Sequence, residues 1–219
     1  VIHQLKRSGA PFIFGGMASV MDMRTTVFSY GAPEFQRGNT LMAEMAHHFD
    51  LPNFGTAGTS DAQTFDGQAV MEVVSSCTMA ILAGANLIHD VGLLGNATVV
   101  MPAMIVATDE IIDMLHHLLT PVEVSDDTLL LDVVEQVRPK GEFVTHPHTF
   151  DHFRDVWYPR LPFRAGAEAW ATSEQTTFGQ RANGRARELI EQHKPDRLPE
   201  DVAAAIQSIV TRAEAALSG

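Results

Sequence analysis

Apolar and polar positions change period several times along the chain, and the changes mark its elements. Residues 11–15 (P-F-I-F-G) form a short apolar run between Gly9 and Gly16, which predicts a buried strand. A loop follows with Met17, Asp22, Met23, Arg24 and Thr25. Residues 28–31 (F-S-Y-G) read either as another short strand or as part of that loop. The spacing then turns helical over residues 33–49, where Met42, Met45, Ala46 and Phe49 fall at i, i+3, i+4 and i+7. Pro33 suits the first helical position and D-L-P at 50–52 stops the helix. Residues 53–56 (N-F-G-T) predict a strand, 57–66 a loop of small and polar residues, and Gly67 opens an amphipathic helix. Its apolar face carries Val70, Val73, Val74, Cys77 and Ile81, and Gly84 is its stop. A very short strand is expected at 86–89 (N-L-I-H), ending in Asp90, Val91 and Gly92. Helices are expected at 108–119, with Asp109 and Glu110 in the first turn, and at 126–138, capped by Ser125. Residues 142–145 (E-F-V-T) are the next strand candidate, and His146-Pro147-His148 leads into a short helix. From Trp157 the strand signals disappear, and 178–193 and 199–217 read as terminal helices.

Short strands alternating with helices, with polar residues after the strands, argue for an α/β fold with a parallel sheet. The four strand candidates are half of an eight-stranded (β/α)8 TIM-barrel-like fold. No G-x-G-x-x-G opens a helix, and neither a Walker-type phosphate loop nor a G-x-S-x-G elbow occurs.

Composition narrows the function classes. The chain has 219 residues and a formal net charge of −12, enough for one sizeable core. Its acidity argues against general nucleic-acid binding and against an anionic membrane surface. The single cysteine, Cys77, excludes an internal disulfide and reads as a buried small side chain. The longest apolar run, 99–107, is too short to span a bilayer and contains Pro102, so cytoplasm is the default compartment. The chain opens at Val1, not Met, which reads as a fragment or a processed chain.

Chemistry-bearing residues gather at the ends of the expected strands, where α/β barrels build their active sites. The loop after 53–56 holds Thr59, Ser60, Asp61, Gln63 and Asp66. The plainest reading is a solvated loop with Asp66 as the N-cap of the following helix. A second such end holds His89 and Asp90, where an imidazole can exchange a proton or orient an anion. A core histidine satisfied by backbone is the competing reading. Asp22 and Arg24 can pair with each other or meet a charged substrate. Tyr30 offers a hydroxyl or an aromatic face, which matters for a quaternary ammonium because that cation donates no hydrogen bonds. His146, His148 and His152 resemble a metal cluster, yet the run lacks the glutamate of H-E-x-x-H and any Cys ligand.

Four ordered blocks resemble one known family. They are G-G-M-A-S-V-M-D-M-R-T-T-V-F-S-Y-G-A-P-E, L-P-N-F-G-T-A-G-T-S-D-A-Q-T-F-D-G-Q-A, A-G-A-N-L-I-H-D-V-G and F-V-T-H-P-H-T. Together they are similar to successive blocks of the trimethylamine methyltransferase family over nearly the whole chain. The resemblance implies the C-terminal half of a (β/α)8 barrel over 1–156, with 157–219 as a helical extension packed on it. It also implies a corrinoid-dependent methyltransferase, with a methylated amine as donor and the Co(I) of a separate corrinoid (cobalamin) protein as acceptor. Pyrrolysine, present in trimethylamine-using members, is absent here, so the nearer branch is the one that includes glycine betaine methyltransferases. On these blocks the expected catalytic residues are His89 and Asp90. The expected substrate-binding residues are Asp22, Tyr30, Thr59, Ser60, Asp61 and Asp66. No directly bound metal, nucleic acid or membrane is expected, and homo-oligomerisation stays open. Two alternatives remain: a metal-dependent barrel hydrolase using His89, His146 and His148 with a carboxylate, and an inactive truncated scaffold. Because the histidine run lacks a complete ligand set, elemental analysis should find no tightly bound zinc. One zinc per chain, lost in His148→Ala, would contradict this.

Overall fold

The computed structural model describes residues 2–217. In chain order the elements are α1 (Ile2–Lys6), β1 (Phe14–Gly15), β2 (Met21–Asp22), β3 (Val27–Phe28), α2 (Pro33–His48), β4 (Asn53–Thr56), α3 (Gly67–Leu82), β5 (Leu87–His89), β6 (Leu93–Leu94), β7 (Val99–Val100), α4 (Pro102–Leu118), α5 (Asp126–Leu129), α6 (Leu131–Val137), α7 (Pro147–His152), α8 (Ala167–Thr172), α9 (Phe178–Gln192) and α10 (Glu200–Leu217). Two compact units result, the first running to Ala186 and the second from Arg187.

In the first unit a parallel sheet of order β1-β4-β5 stands at the centre. Phe14 pairs with Asn53 and Gly15 with Phe54, while Phe54, Gly55 and Thr56 pair with Leu87, Ile88 and His89. The adjacent parallel placement expected of successive βα units is therefore observed. Helices α2 and α3 pack together, and α2 packs on β4. Alternation directs Asn53 and Gly55 to one face, and Phe54, Thr56, Leu87 and His89 to the other. On the second face Phe54 and Leu87 are exposed.

Two antiparallel hairpins follow strands of the sheet. β2 pairs with β3 after β1, and β6 pairs with β7 after β5. The main core lies between α3 and α4, where Ala69, Val73, Cys77, Met104, Ile111 and Leu115 meet the loop residues Ala57 and Ala62. A second cluster joins Ala103 and Ala107 of α4 to Leu161 and Ala182. In the second unit α10 carries Val202, Ile206, Ile209 and Val210 at helical spacing, and none of its residues is buried.

Four expectations need correction. The strand expected at 11–15 is reduced to Phe14–Gly15, because Pro11 has no N–H to give to a ladder. Residues 142–145 form no strand. The carbonyl of Phe143 instead accepts from His146 N–H and the Thr149 hydroxyl, so local turns satisfy the backbone where no strand lies alongside. The helix expected at 108–119 begins at Pro102, which moves Glu110 from its first turn to its buried middle. Glu110 is matched there by Arg160, whose Nε lies 2.9 Å from its carboxylate. The helix expected at 126–138 is split at Leu130, whose φ of 51° is left-handed; its Ser125 cap is present.

Cys77 packs in the main core, and burial pushes its thiol up to about 11. Since the thiolate is the reactive form, a disulfide reagent at pH 8 should label it only after unfolding. Rapid labelling of the native chain would contradict the placement of α3.

Candidate active site at the carboxyl ends of the parallel strands

The carboxyl ends of β4 and β5 bring His89 and Asp90 together with Thr56 and Phe54. His89 Nδ1 lies 2.9 Å from Asp90 Oδ1, and its Nε2 lies 3.1 Å from Thr56 Oγ1. The Phe54 ring stacks on the imidazole at 4.2 Å between centroids, with 15° between planes. Asp90 sits just past the strand with φ at 73°, and its carbonyl accepts the Thr59 hydroxyl at 2.7 Å. Gly58 makes the close approach of the two loops workable. Its φ is +78°, and a Cβ there would lie 3.1 Å from Val91 Cγ2. Its carbonyl accepts Gly92 N–H at 3.2 Å, which ties the two strand-end loops together.

A second cluster begins one residue after Thr59. The Ser60 hydroxyl donates to Glu72 Oε2 at 2.6 Å, and Asp61 N–H donates to the same oxygen at 2.8 Å. The Gln68 amide holds the other oxygen of Glu72 at 2.9 Å. Asp61 in turn accepts from Tyr30 N–H at 2.8 Å, Gly31 N–H at 3.0 Å, Asn96 Nδ2 at 3.0 Å and the Ser29 hydroxyl. A carboxylate has about four acceptor positions, so this one is filled from within the chain. The turn it holds presents Tyr30, whose ring meets Phe28 and Phe35 edge-on at 5.0 and 5.2 Å. Gly31 leaves room for Glu72 there, because a Cβ would come within 2.3 Å of the Glu72 carboxyl carbon and displace it.

Two of the sequence-derived candidates stand apart from these clusters. Asp66 caps α3, accepting from Gln68 N–H at 2.9 Å and Ala69 N–H at 3.2 Å. Asp22 lies in the β2–β3 hairpin, paired with Arg24 at 2.8 Å. Hydrogen bonds from the Arg24 side chain and backbone hold its carboxyl at about 2, below the usual carboxylate range. In the histidine run, His146 accepts His148 N–H at 3.2 Å, His152 pairs with Asp155 at 2.7 Å, and the rings of His148 and His152 stack. Among the described residues no group of three or more His, Cys, Asp or Glu side chains is placed to hold a metal.

Glu72, Ser29, Gly31 and Asn96 complete the second cluster although none stands out as a site residue in the sequence. For Glu72 a signal existed. The buried positions of α3 are Ala69, Glu72, Val73, Ser76 and Cys77, a helical face on which a carboxylate demands partners. Asn96 carries no such signal, because its role arises only when the β6–β7 turn reaches Asp61 and the carbonyl of Phe28.

A parallel α/β sheet with a His–Asp pair at its carboxyl edge defines the class of site found in open α/β and barrel proteins. Comparison with known proteins gives the family. The family model for trimethylamine methyltransferase (MTTB) matches residues 1–218, and the chain belongs to that family. It is 32% identical over 214 residues to trimethylamine methyltransferase MttB of Desulfitobacterium hafniense strain DSM 10664 / DCB-2, covering 98% of this chain and 43% of that protein. It is 30% identical over 206 residues to glycine betaine methyltransferase of D. hafniense strain Y51, covering 93% of this chain and 43% of that protein. Over 219 residues it is 24% identical to trimethylamine methyltransferase MttB of Methanosarcina barkeri, covering 44% of that protein. The chain thus spans less than half the length of these relatives.

Removing the Glu72 carboxylate should destabilise the chain, because it strands the buried Ser60 hydroxyl and Asp61 N–H. Glu72→Ala should lower the unfolding free energy by about 1–3 kcal/mol in a urea titration. An unchanged midpoint would show that the network does not hold the loop.

Proposed function

We propose that the chain is the C-terminal half of a (β/α)8 barrel over 1–156, extended by helices over 157–219. It acts in the cytoplasm as a methyltransferase that takes a methyl group from a quaternary amine of the glycine betaine type and passes it to a corrinoid carried by a separate protein. The observation that supports this reading most is the Phe54–His89–Asp90 cluster at the strand ends, in a chain of the trimethylamine methyltransferase family. A relative's name supplies the betaine substrate, and the physics of the site agrees with it. A quaternary ammonium is held by ring faces and carboxylates, and here an exposed Phe54 ring stacks on the imidazole that the Asp90 carboxylate holds.

The donor set fits a corrinoid brought from outside. Both nitrogens of His89 are engaged by Asp90 and Thr56, and the one thiol, Cys77, is buried. When bound alongside, the corrinoid supplies the nucleophilic metal centre that accepts the methyl group. The chain's residues do the rest. Phe54 and Asp90 hold the ammonium, and His89 fixes its orientation. Asp61 holds the turn that carries Tyr30, whose ring packs edge-on against Phe28. The N–C bond breaks with its electron pair left on nitrogen, so the departing tertiary amine needs no acid to leave. Catalysis then rests on alignment and on exclusion of water. Thr59 and Ser60 act through the loop, and Asp61 acts by positioning Tyr30. Asp22 and Asp66 serve the hairpin and the helix cap.

The test is His89→Ala in a chain completed to the relatives' length. Methyl transfer from glycine betaine to a reduced corrinoid, followed by absorbance, should fall by about 100-fold, the scale of a lost alignment. The melting temperature should stay within a few degrees. Unchanged turnover per folded molecule with a lowered melting temperature would make His89 a packing residue and remove it from the site.

A further inference from the structure

The surroundings of His89 fix more than its position. Nδ1 faces the Asp90 carboxylate at 2.9 Å. A carboxylate only accepts, so Nδ1 is the nitrogen that carries hydrogen. In the neutral ring Nε2 then holds a lone pair, and its 3.1 Å contact with Thr56 Oγ1 has one workable direction, with the hydroxyl donating. Free histidine prefers the opposite tautomer, with hydrogen on Nε2.

The elements that hold these groups are tied to one another by hydrogen bonds. Thr56 is 4% exposed and stands directly across the β4–β5 ladder from His89. The His89 carbonyl accepts Ala57 N–H at 3.3 Å, and the Asp90 carbonyl accepts the Thr59 hydroxyl. Phe54 closes one face of the ring. No N–H of the neutral imidazole is left to donate to a ligand.

We propose that Thr56 is a positioning residue which, together with Asp90, locks His89 in the Nδ1–H tautomer. The imidazole then serves the site as an oriented ring wall continuing the Phe54 face, with an Nε2 lone pair, and not as a proton donor. That service rests on the methyltransferase reading, whereas the tautomer does not. Failure of one is therefore distinguishable from failure of the other.

The test is a long-range 1H–15N correlation spectrum of the 219-residue chain labelled with 15N-histidine, recorded at pH 8.5 without ligand. The His89 signals are assigned by their loss in His89→Gln. The expected pattern is a protonated Nδ1 and an unprotonated Nε2. Thr56→Val should move the pattern towards Nε2–H, while Thr56→Ser, which keeps the hydroxyl, should restore it. A merely structural threonine would leave the tautomer unchanged in Thr56→Val. An Nε2–H tautomer in the parent chain, or a Thr56→Val spectrum identical to the parent's, would overturn the proposal; if Thr56→Val does not fold, Thr56→Ala is read in its place with the same two outcomes.

Discussion

The register between β4 and β5 is the constraint on which the site depends. Thr56 lies opposite His89 and Phe54 opposite Leu87, so the groups that form the candidate site share one face. Side chains alternate with a period of two, and a slip of one residue would send His89 to the face opposite Thr56 and Phe54. Contacts beyond the ladder pin the register. The Asn86 side chain accepts Asn53 N–H at 2.8 Å below the pairing, and the Gly92–Gly58 bond closes it above.

Two carboxylates carry the next level of order, from the strand ends into the neighbouring loops. Glu72 reaches up from α3 to Ser60 and Asp61, and Asp61 reaches across to the turn that presents Tyr30. Charged acceptors suit this work. Hydrogen bonds to a carboxylate are stronger than those between neutral groups. The same charges would be costly if any partner were lost, because a half-buried carboxylate without donors is poorly solvated. Loop geometry, aromatic placement and helix α3 are thereby coupled through side chains that need touch no ligand.

Much of this was legible in the sequence because it rests on local signals. Asn53–Thr56 is a strand as expected, Asp66 caps α3, and Pro33 opens α2. His89 and Asp90 fall where the βα pattern placed them. What escaped depends on long-range meetings. Asp61 read as a ligand for substrate, yet its donors come from 30 to 35 residues away. Glu110 reads as a first-turn acid when the helix is started at Thr108, whereas the helix starts at Pro102. The 142–145 segment has strand composition but no strand beside it. Three parallel strands are observed where an eight-stranded barrel was expected in half, so the barrel stands as part of the functional proposal.

The proposed reaction is defined by where the methyl group goes. The most direct measurement follows a 13C-labelled N-methyl group of glycine betaine, incubated with the chain completed to the relatives' length and a reduced corrinoid protein. The label should appear on the corrinoid in step with formation of the demethylated tertiary amine. Label that stays on the amine, or that emerges as methanol or formaldehyde, would contradict it and point to hydrolytic or oxidative chemistry instead.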